Sequence, residues 1–234
     1  MVTTSIIYYT DNCLEPGFAK QVQDLLVKAA DGKPIICVSQ KPMDFGDVRI
    51  CVGDIGRSHL SLFAQILRGV EQVKTEYVAL AEHDCLYTSE HFNWIPPTRD
   101  IFHYNVNHWF VDYNTGVYSY HRRKVLSMMI ADTALTLQAA KDKVVMITAG
   151  AQIKKGQPGA CEYGVCDNRN QYIEYQQILK DFGKEIGSYR AAAFRTELPN
   201  LDIRHNVNFS GRRKGKDACN ELTYWGEFKN WIKK

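Results

Sequence analysis

The stretch that most constrains the fold runs over residues 76–94 and reads EYVALAEHDCLYTSEHFNW. Tyr77, Val78, Ala79, Leu80 and Ala81 form an unbroken apolar run. Such a run suits a strand covered on both faces, as in the parallel sheet of an α/β protein. It passes into Glu82, His83 and Asp84 with no turn residue between. A buried strand has little reason to end in two carboxylates and an imidazole unless they face a crevice. In open α/β sheets, ligands bind in the crevice beyond the carboxyl ends of the strands. Oxygen donors gathered there suit a divalent cation, Mg²⁺ or Mn²⁺, shared with substrate phosphates. The plainer alternative is a solvated strand end that happens to be acidic.

The residues on the N-terminal side extend the same pattern. SIIYY at 5–9 is β-branched and aromatic, a first strand leading into Thr10, Asp11 and Asn12. Phe18, Val22, Leu25, Leu26 and Ala29 fall at helical spacing, and Gly32 stops that helix. PIICV at 34–38 and the run at 48–52 predict two further strands, followed by polar segments at 39–42 and 53–57. Ser58 is placed to cap a helix carrying Leu62, Phe63, Ile66, Leu67 and Val70 on one face. This alternation predicts a single α/β domain over 1–234, with a mostly parallel sheet and helices on both faces. It also sets four loops, 10–12, 39–42, 53–57 and 82–84, on one rim. Gly56 and Arg57 ahead of a helix suit an anion-binding amide cluster, with an ordinary loop as the alternative.

The second part is less regular. Pro96 and Pro97 break the chain, and IFHYNVNHWFV at 101–111 predicts one long strand. Alternation sets Phe102, Tyr104 and Val106 on one face and His103, Asn105 and Asn107 on the other, the polar face being a solvated edge or a pocket wall. The chain turns at 114–116 and returns as a short strand. A helix is expected over 122–140 with Leu126, Met129, Ile130 and Leu137 inward. Residues 150–170, rich in Gly and polar groups, read as a long loop. A helix with Tyr172, Tyr175, Leu179 and Phe182 in register follows. LPNLDIRHNVNFSG at 198–211 carries His205 just after a strand-like run, and RRKGK at 212–216 is a basic cluster. An amphipathic helix bearing Leu222, Trp225, Phe228 and Ile232 is expected to close the chain.

Composition narrows the partners. Lys+Arg 29 against Asp+Glu 26 gives +3, so no global field declares a nucleic acid or membrane. No apolar run approaches the roughly 20 residues that span a bilayer, and MVTTSIIYYTDN reads as a strand, not a signal peptide. The seven cysteines are odd in number and scattered, which argues for free thiols in a reducing compartment, the cytoplasm. Cys161 and Cys166 are the only close pair, and a zinc site would need two further ligands.

With these pieces placed, the chain resembles nucleotide-sugar-dependent glycosyltransferases of the GT-A type, and more narrowly a bacterial and bacteriophage group of small, single-domain members. The residues carrying this are YYTDN at 8–12, SQKPMDFG at 39–46, LAEHDCLYTSEHF at 80–92, IPP at 95–97, YNVNHW at 104–109, QPG at 157–159 and the 198–211 segment. They extend over most of the chain. The resemblance implies a GT-A-like (Rossmann-like) twisted sheet, with a nucleotide-sugar and metal half at 1–94 and an acceptor half at 95–234. In such enzymes an acidic motif ending the fourth strand, often DxD, holds the cation that binds the nucleotide diphosphate. Here that position reads Glu82-His83-Asp84, a departure from the pattern. It implies Asp84 and Glu82 as ligands of Mn²⁺ or Mg²⁺, with His205 as the late histidine ligand. Thr10, Asp11 and Asn12 take the nucleoside, and Lys41, Arg57, Arg204, Arg212 and Arg213 join them as donor contacts. The late arginines, with Lys214, would neutralise diphosphate charge as it leaves.

The implied activity is metal-dependent transfer of a sugar from a nucleoside-diphosphate sugar to an acceptor hydroxyl. The acceptor is a glycan or glycolipid, or a hydroxymethylated base in phage-type DNA. Residues 212–216, Trp109 and Tyr113 would suit phosphate contacts and base stacking in the DNA case. If the anomeric carbon inverts, a carboxylate must take the acceptor proton, and Glu162 and Asp112 are the candidates. The alternative is a non-catalytic nucleotide-sugar-binding module on the same fold. A nucleotidyltransferase would need a glycine-rich first loop, and TDNCLEPG offers only Gly17.

Overall fold

The computed structural model describes residues 3–150, 162–165, 177, 180, 181, 183, 189–208 and 216–232. Through them the chain runs β1 (Thr4–Thr10), α1 (Pro16–Ala30), β2 (Ile35–Ser39), β3 (Val48–Cys51), α2 (His59–Val70), β4 (Tyr77–Glu82), β5 (Cys85–Leu86) and α3 (Ser89–Asn93). It continues as β6 (Ile101–Asn105), β7 (His108–Asp112), β8 (Tyr118–Tyr120), β9 (Met129–Asp132), α4 (Thr133–Thr148), β10 (Arg190–Phe194), β11 (Asn200–Arg204) and β12 (Lys216–Cys219).

The main sheet has the order β10-β6-β9-β4-β1-β2-β3. Strands β1 to β4 pair in parallel, β10 is parallel to β6, and β9 runs antiparallel to both β4 and β6. The expected mostly parallel α/β sheet is therefore present, and its side-chain alternation covers both faces. Ile7, Tyr9, Ile36, Val38, Val78, Leu80 and Met129 meet Phe63, Ile66 and Val70 of α2 and Ala139 and Ala140 of α4. Ile6, Tyr8, Ile35, Cys37, Ala79, Ala81 and Ile130 meet Leu26, Ala29 and Ala30 of α1 and Phe92 of α3. A side-chain period of two delivers neighbouring residues to opposite faces, so continuous apolar runs are what this sheet requires.

The Ser58 cap acts as read. The Ser58 side chain accepts from the Ser61 amide and Ser61 reciprocates, closing a capping box on α2. Glu15 caps α1, and Asp31, at φ 50°, ends it one residue before Gly32. Gly69 marks a close approach: a Cβ there would lie 2.6 Å from Cγ2 of Ile7.

A second sheet, β12-β8-β7-β11-β5, stands beside the first. Here several expectations change. The segment 101–111 is two strands in two sheets, because the chain breaks between Asn105 and His108. Asn105 and Asn107 are buried, not solvated: Asn105 Nδ2 donates to Thr196 Oγ1 at 2.7 Å, and Asn107 Nδ2 to the Thr196 and Glu197 carbonyls at 3.0 and 3.1 Å. These amides bind the bend to the chain that follows β10. The helix expected over 122–140 begins only at Thr133, capped by Asp132. Met129–Asp132 is instead the antiparallel strand between β4 and β6, since an apolar run flanked by two strand edges gains more from ladder bonds than from helical spacing. The closing segment forms a bridged turn at Leu222 and Gly226 and a short 3₁₀ turn, not an amphipathic helix. Leu222, Trp225, Phe228 and Ile232 are nevertheless buried against the second sheet. Trp109 and Tyr113, expected at a nucleic-acid surface, are half-buried against this same cluster.

Candidate functional site

Strand β4 ends at Glu82; His83 and Asp84 make a turn, and the chain re-enters as β5 in the second sheet. The acidic motif is thus the crossing point between the two sheets. β5 pairs antiparallel with β11, Cys85 opposite Asp202, and the Ile203 amide donates to the Asp84 carbonyl at 2.8 Å. This register carries His205, just past the end of β11, onto the motif. Asp84 Oδ2 lies 3.2 Å from His205 Nε2, and Asn208 Nδ2 donates to the same oxygen at 2.7 Å. The Asn208 carbonyl oxygen accepts from the His205 amide at 2.6 Å, so one asparagine holds both partners. His205 Nδ1 accepts from the Val207 amide at 3.3 Å, which leaves the ring proton on Nε2, facing Asp84.

The four rim loops converge on one cavity of ≈ 220 Å³. Its wall includes Thr10, Asp11, Gln40, Gly56, Arg57, Glu82, His83 and Asp84 from these loops, with Glu162, Asp202, Arg204 and Asn208 from the later chain. Asp11 forms an ion pair with Arg57, and the Arg57 guanidinium also donates to the Val207 carbonyl at 2.6 Å. Gln65 Nε2 donates to the carbonyls of Thr10 and Val38, at 2.8 and 3.1 Å, satisfying two strand ends at the cavity floor. His83 faces this cavity, its Nδ1 2.8 Å from Thr10 Oγ1.

Other expected contacts stand back from it. Asn12, at φ 57°, accepts through Oδ1 from the Gln40 and Lys41 amides at 2.9 and 2.8 Å, joining two rim loops. The Lys41 side chain is exposed and does not line the cavity. Asp112 accepts from the Asn114 and Thr115 amides, both at 3.0 Å, and holds the β7–β8 turn away from the cavity. Arg212, Arg213 and Lys214 lie outside the described residues, as do 157–159 and most of the expected 172–182 helix.

Electrostatics distinguish the three carboxylates gathered here. Burial, then repulsion from Asp84 and Asp202, pushes Glu82 up to about 8 despite the hydrogen bond it accepts from Tyr9 at 2.7 Å. Burial works against an ionised Asp84, yet the His205 hydrogen bond and the neighbouring imidazoles and Arg204 hold it down at about 2. Burial likewise pushes Asp202 up to about 7, in spite of its ion pair with Arg204. Three carboxyl groups thus share a buried corner with one guanidinium; Glu82 and Asp202 hold protons there that a divalent cation could displace. His83, Asp84 and His205 bring ligand atoms within 4.8 Å of one another, as do Glu82, Asp84 and Cys85. A carboxylate oxygen beside imidazole nitrogen suits Mn²⁺ more readily than Mg²⁺, which prefers oxygen alone.

Asp202 and Asn208 went unread in the sequence. For Asp202 the signal was present: in NLDIR, Asp202 and Arg204 alternate with Leu201 and Ile203, which are buried in the second sheet's core. Asn208 carries no such pattern.

No protein-family model matches the chain, and no curated protein does. Among solved structures it is similar to a glycosyltransferase involved in the glycosylation of the major capsid of PBCV-1, with TM-score 0.48, 10% identity, and 86% of this chain and 92% of that chain covered. It is similar to the glycosyltransferase GlyE of Streptococcus pneumoniae TIGR4, with TM-score 0.45, 10% identity, and 82% of this chain against 45% of that one. It is also similar to a protein from Aquifex aeolicus VF5, with TM-score 0.42, 13% identity, and 82% and 87% of the two chains covered.

Proposed function

We propose that this chain is a divalent-cation-dependent glycosyltransferase that moves a sugar from a nucleoside-diphosphate sugar to a hydroxyl of a glycan or glycolipid. The observation that carries the reading is the pairing of Asp84 with His205 at 3.2 Å, inside a cavity walled by the rim loops of a parallel sheet. The sequence resemblance implies these residues for one cation, and the ionised Asp84 beside two carboxyl groups that can release protons gives that cation a physical reason to bind.

In this reading Asp84 and His205 hold Mn²⁺ or Mg²⁺, with Glu82 as a further ligand once it is ionised. The cation, when bound, acts as a Lewis acid on the departing diphosphate. His205 must present a bare Nε2 to ligate, so its proton leaves or moves to Nδ1 and the Val207 contact opens. Thr10 and Asp11 face the nucleoside, and Asn12 fixes their loop against that of Gln40 and Lys41. Arg57 and Arg204, both on the cavity wall, neutralise diphosphate charge in a partly desolvated site where such charges act strongly. Glu162, on the cavity wall, is the better placed of the two candidate bases, and Asp112 has no part while it holds its turn. Residues 1–94 supply most of the donor side, and 95–234 the acceptor side together with the His205 segment that completes the cation site. A DNA acceptor draws no support from Trp109 and Tyr113, which are half-buried against the second sheet's core. The free thiols Cys13, Cys37, Cys51, Cys85 and Cys219 accord with a reducing compartment such as the cytoplasm. No helix among the described residues is long and apolar enough to cross a membrane.

The test is calorimetric titration of uridine, guanosine, cytidine and thymidine diphosphates with and without Mn²⁺, followed by donor hydrolysis with the matching sugar nucleotides. Cation-dependent binding of one base, with slow hydrolysis of its sugar conjugate, is expected. Binding without hydrolysis would favour the non-catalytic module, and no binding would remove the reading.

A further inference from the structure

A different set of metal-ligating groups shares His83 with the one described above. Asp11, Cys13 and His83 bring a carboxylate oxygen, a sulfur and a ring nitrogen within 4.8 Å of one another. The orientation of the ring is fixed from behind. His83 Nδ1 lies 2.8 Å from Thr10 Oγ1 and 3.6 Å from Asp11 Oδ1, and Thr10 Oγ1 is held in turn by the Asn12 amide at 2.9 Å. The Thr10 hydroxyl holds Nδ1, so Nε2 is the ring nitrogen turned to Cys13, and it can ligate once the ring proton is carried on Nδ1. Nε2 is 4.0 Å from Cys13 Sγ. The Cys13 amide donates to Asp11 Oδ1 at 3.0 Å, a tight local turn that keeps carboxylate and thiol together.

We propose that Asp11, Cys13 and His83 form a binding site for a borderline-soft divalent cation of the zinc class, separate from the Asp84–His205 pair. Tetrahedral zinc with a sulfur at about 2.3 Å and a nitrogen at about 2.0 Å sets those two atoms about 3.6 Å apart. Cys13 and His83 therefore need to close by only a few tenths of an ångström. A thiolate with an imidazole selects Zn²⁺ over Mg²⁺ and Mn²⁺, which favour oxygen. The thiol gives up its proton on ligation. Three protein ligands leave a fourth position for water or an incoming ligand atom.

The site has a consequence that rests on the transferase reading. His83 belongs to both metal-ligating groups, and Asp11 is the partner of Arg57. Zinc bound here draws these side chains away from the donor and inhibits transfer, even with Mn²⁺ in excess.

The site is tested with Co²⁺ as a spectroscopic stand-in for zinc, using the whole chain and no sugar nucleotide. One equivalent of Co²⁺ is expected to give a sulfur-to-cobalt charge-transfer band that Zn²⁺ displaces. The band should vanish in Cys13→Ser and persist in Asp84→Asn. In the unaltered protein, Zn²⁺ should also protect Cys13 from alkylation while exposed Cys51 stays reactive. No band in the unaltered protein, a band that survives Cys13→Ser or is lost in Asp84→Asn, or an unprotected Cys13 would overturn the proposal. None of these readouts needs the donor, so the site stands or falls separately from the transferase reading.

Discussion

Asp84 and His205, 121 residues apart in sequence, meet at 3.2 Å because β5 and β11 pair in one register. Each is nearly buried, and Asp84 also accepts from Asn208. Asp84→Asn replaces an acceptor with an amide that can turn a donor toward two N–H groups. A stability loss of about 1–3 kcal/mol is expected, although the strand-end position taken alone suggests a smaller one. Cation-dependent nucleotide binding should disappear from the folded protein. Urea denaturation and calorimetry separate the two effects, and a variant with unchanged cation dependence would remove Asp84 from the site.

His205→Gln keeps a polar side chain and removes the imidazole. Affinity for Mn²⁺ is expected to fall by at least roughly 10–100-fold, the loss that follows when only the outer-shell partner of a ligand is removed. Electron paramagnetic resonance of free Mn²⁺ measures it directly, and an unchanged affinity would leave His205 a packing residue.

Asn208→Ala tests the clamp. Its amide nitrogen holds Asp84 and its carbonyl oxygen holds the His205 backbone. Loss of both should destabilise the protein by about 1–3 kcal/mol and weaken cation binding with the two ligand candidates still present. A variant that loses stability and keeps full cation affinity would confine Asn208 to a structural role.

Glu82 gives a pH dependence with a definite sign. Its carboxyl is raised from 4.5 to about 8, so the folded protein holds a proton that the unfolded chain releases in this window. The resulting stability is present below pH 4.5 and is lost as pH rises towards about 8. Glu82→Gln should make that decline shallower, and Asp202, shifted in the same direction, should keep it from vanishing. Denaturant midpoints across the window check this; a steeper decline in the variant would contradict it. Saturating Mn²⁺ should oppose the loss, because it favours the ionised carboxylate.

Gly69→Ala probes the fold away from the site. The added methyl meets Ile7 Cγ2 at 2.6 Å and Val38 Cγ2 at 3.1 Å. Both belong to the packed face beneath α2, so the helix must lift or the core must shift. A loss of about 1–3 kcal/mol is expected, despite the gain in helix propensity, and thermal melting would register it. A neutral result would show that α2 is loosely seated.

What the sequence by itself determined was the parallel half of the fold and the rim of the cavity. Val78 to Ala81 must be covered on both faces, Ser58 and Glu15 start helices through their own side chains, and 10–12, 39–42, 53–57 and 82–84 follow strands that run the same way. Local chemistry suffices for such elements, since the strand period and the caps are written within a few residues. The tertiary structure alone decided the rest. Met129 to Asp132 became a strand because β4 and β6 offered two open edges, a fact that no window around Met129 contains. Asp202 and Asn208 joined the site, and His83 turned towards the cavity, through the crossing of the chain from one sheet to the other at Asp84. Asp112 was drawn into its turn by the amides of Asn114 and Thr115. Pairings between distant segments depend on register and on which edges remain open, and only the assembled sheets fix those.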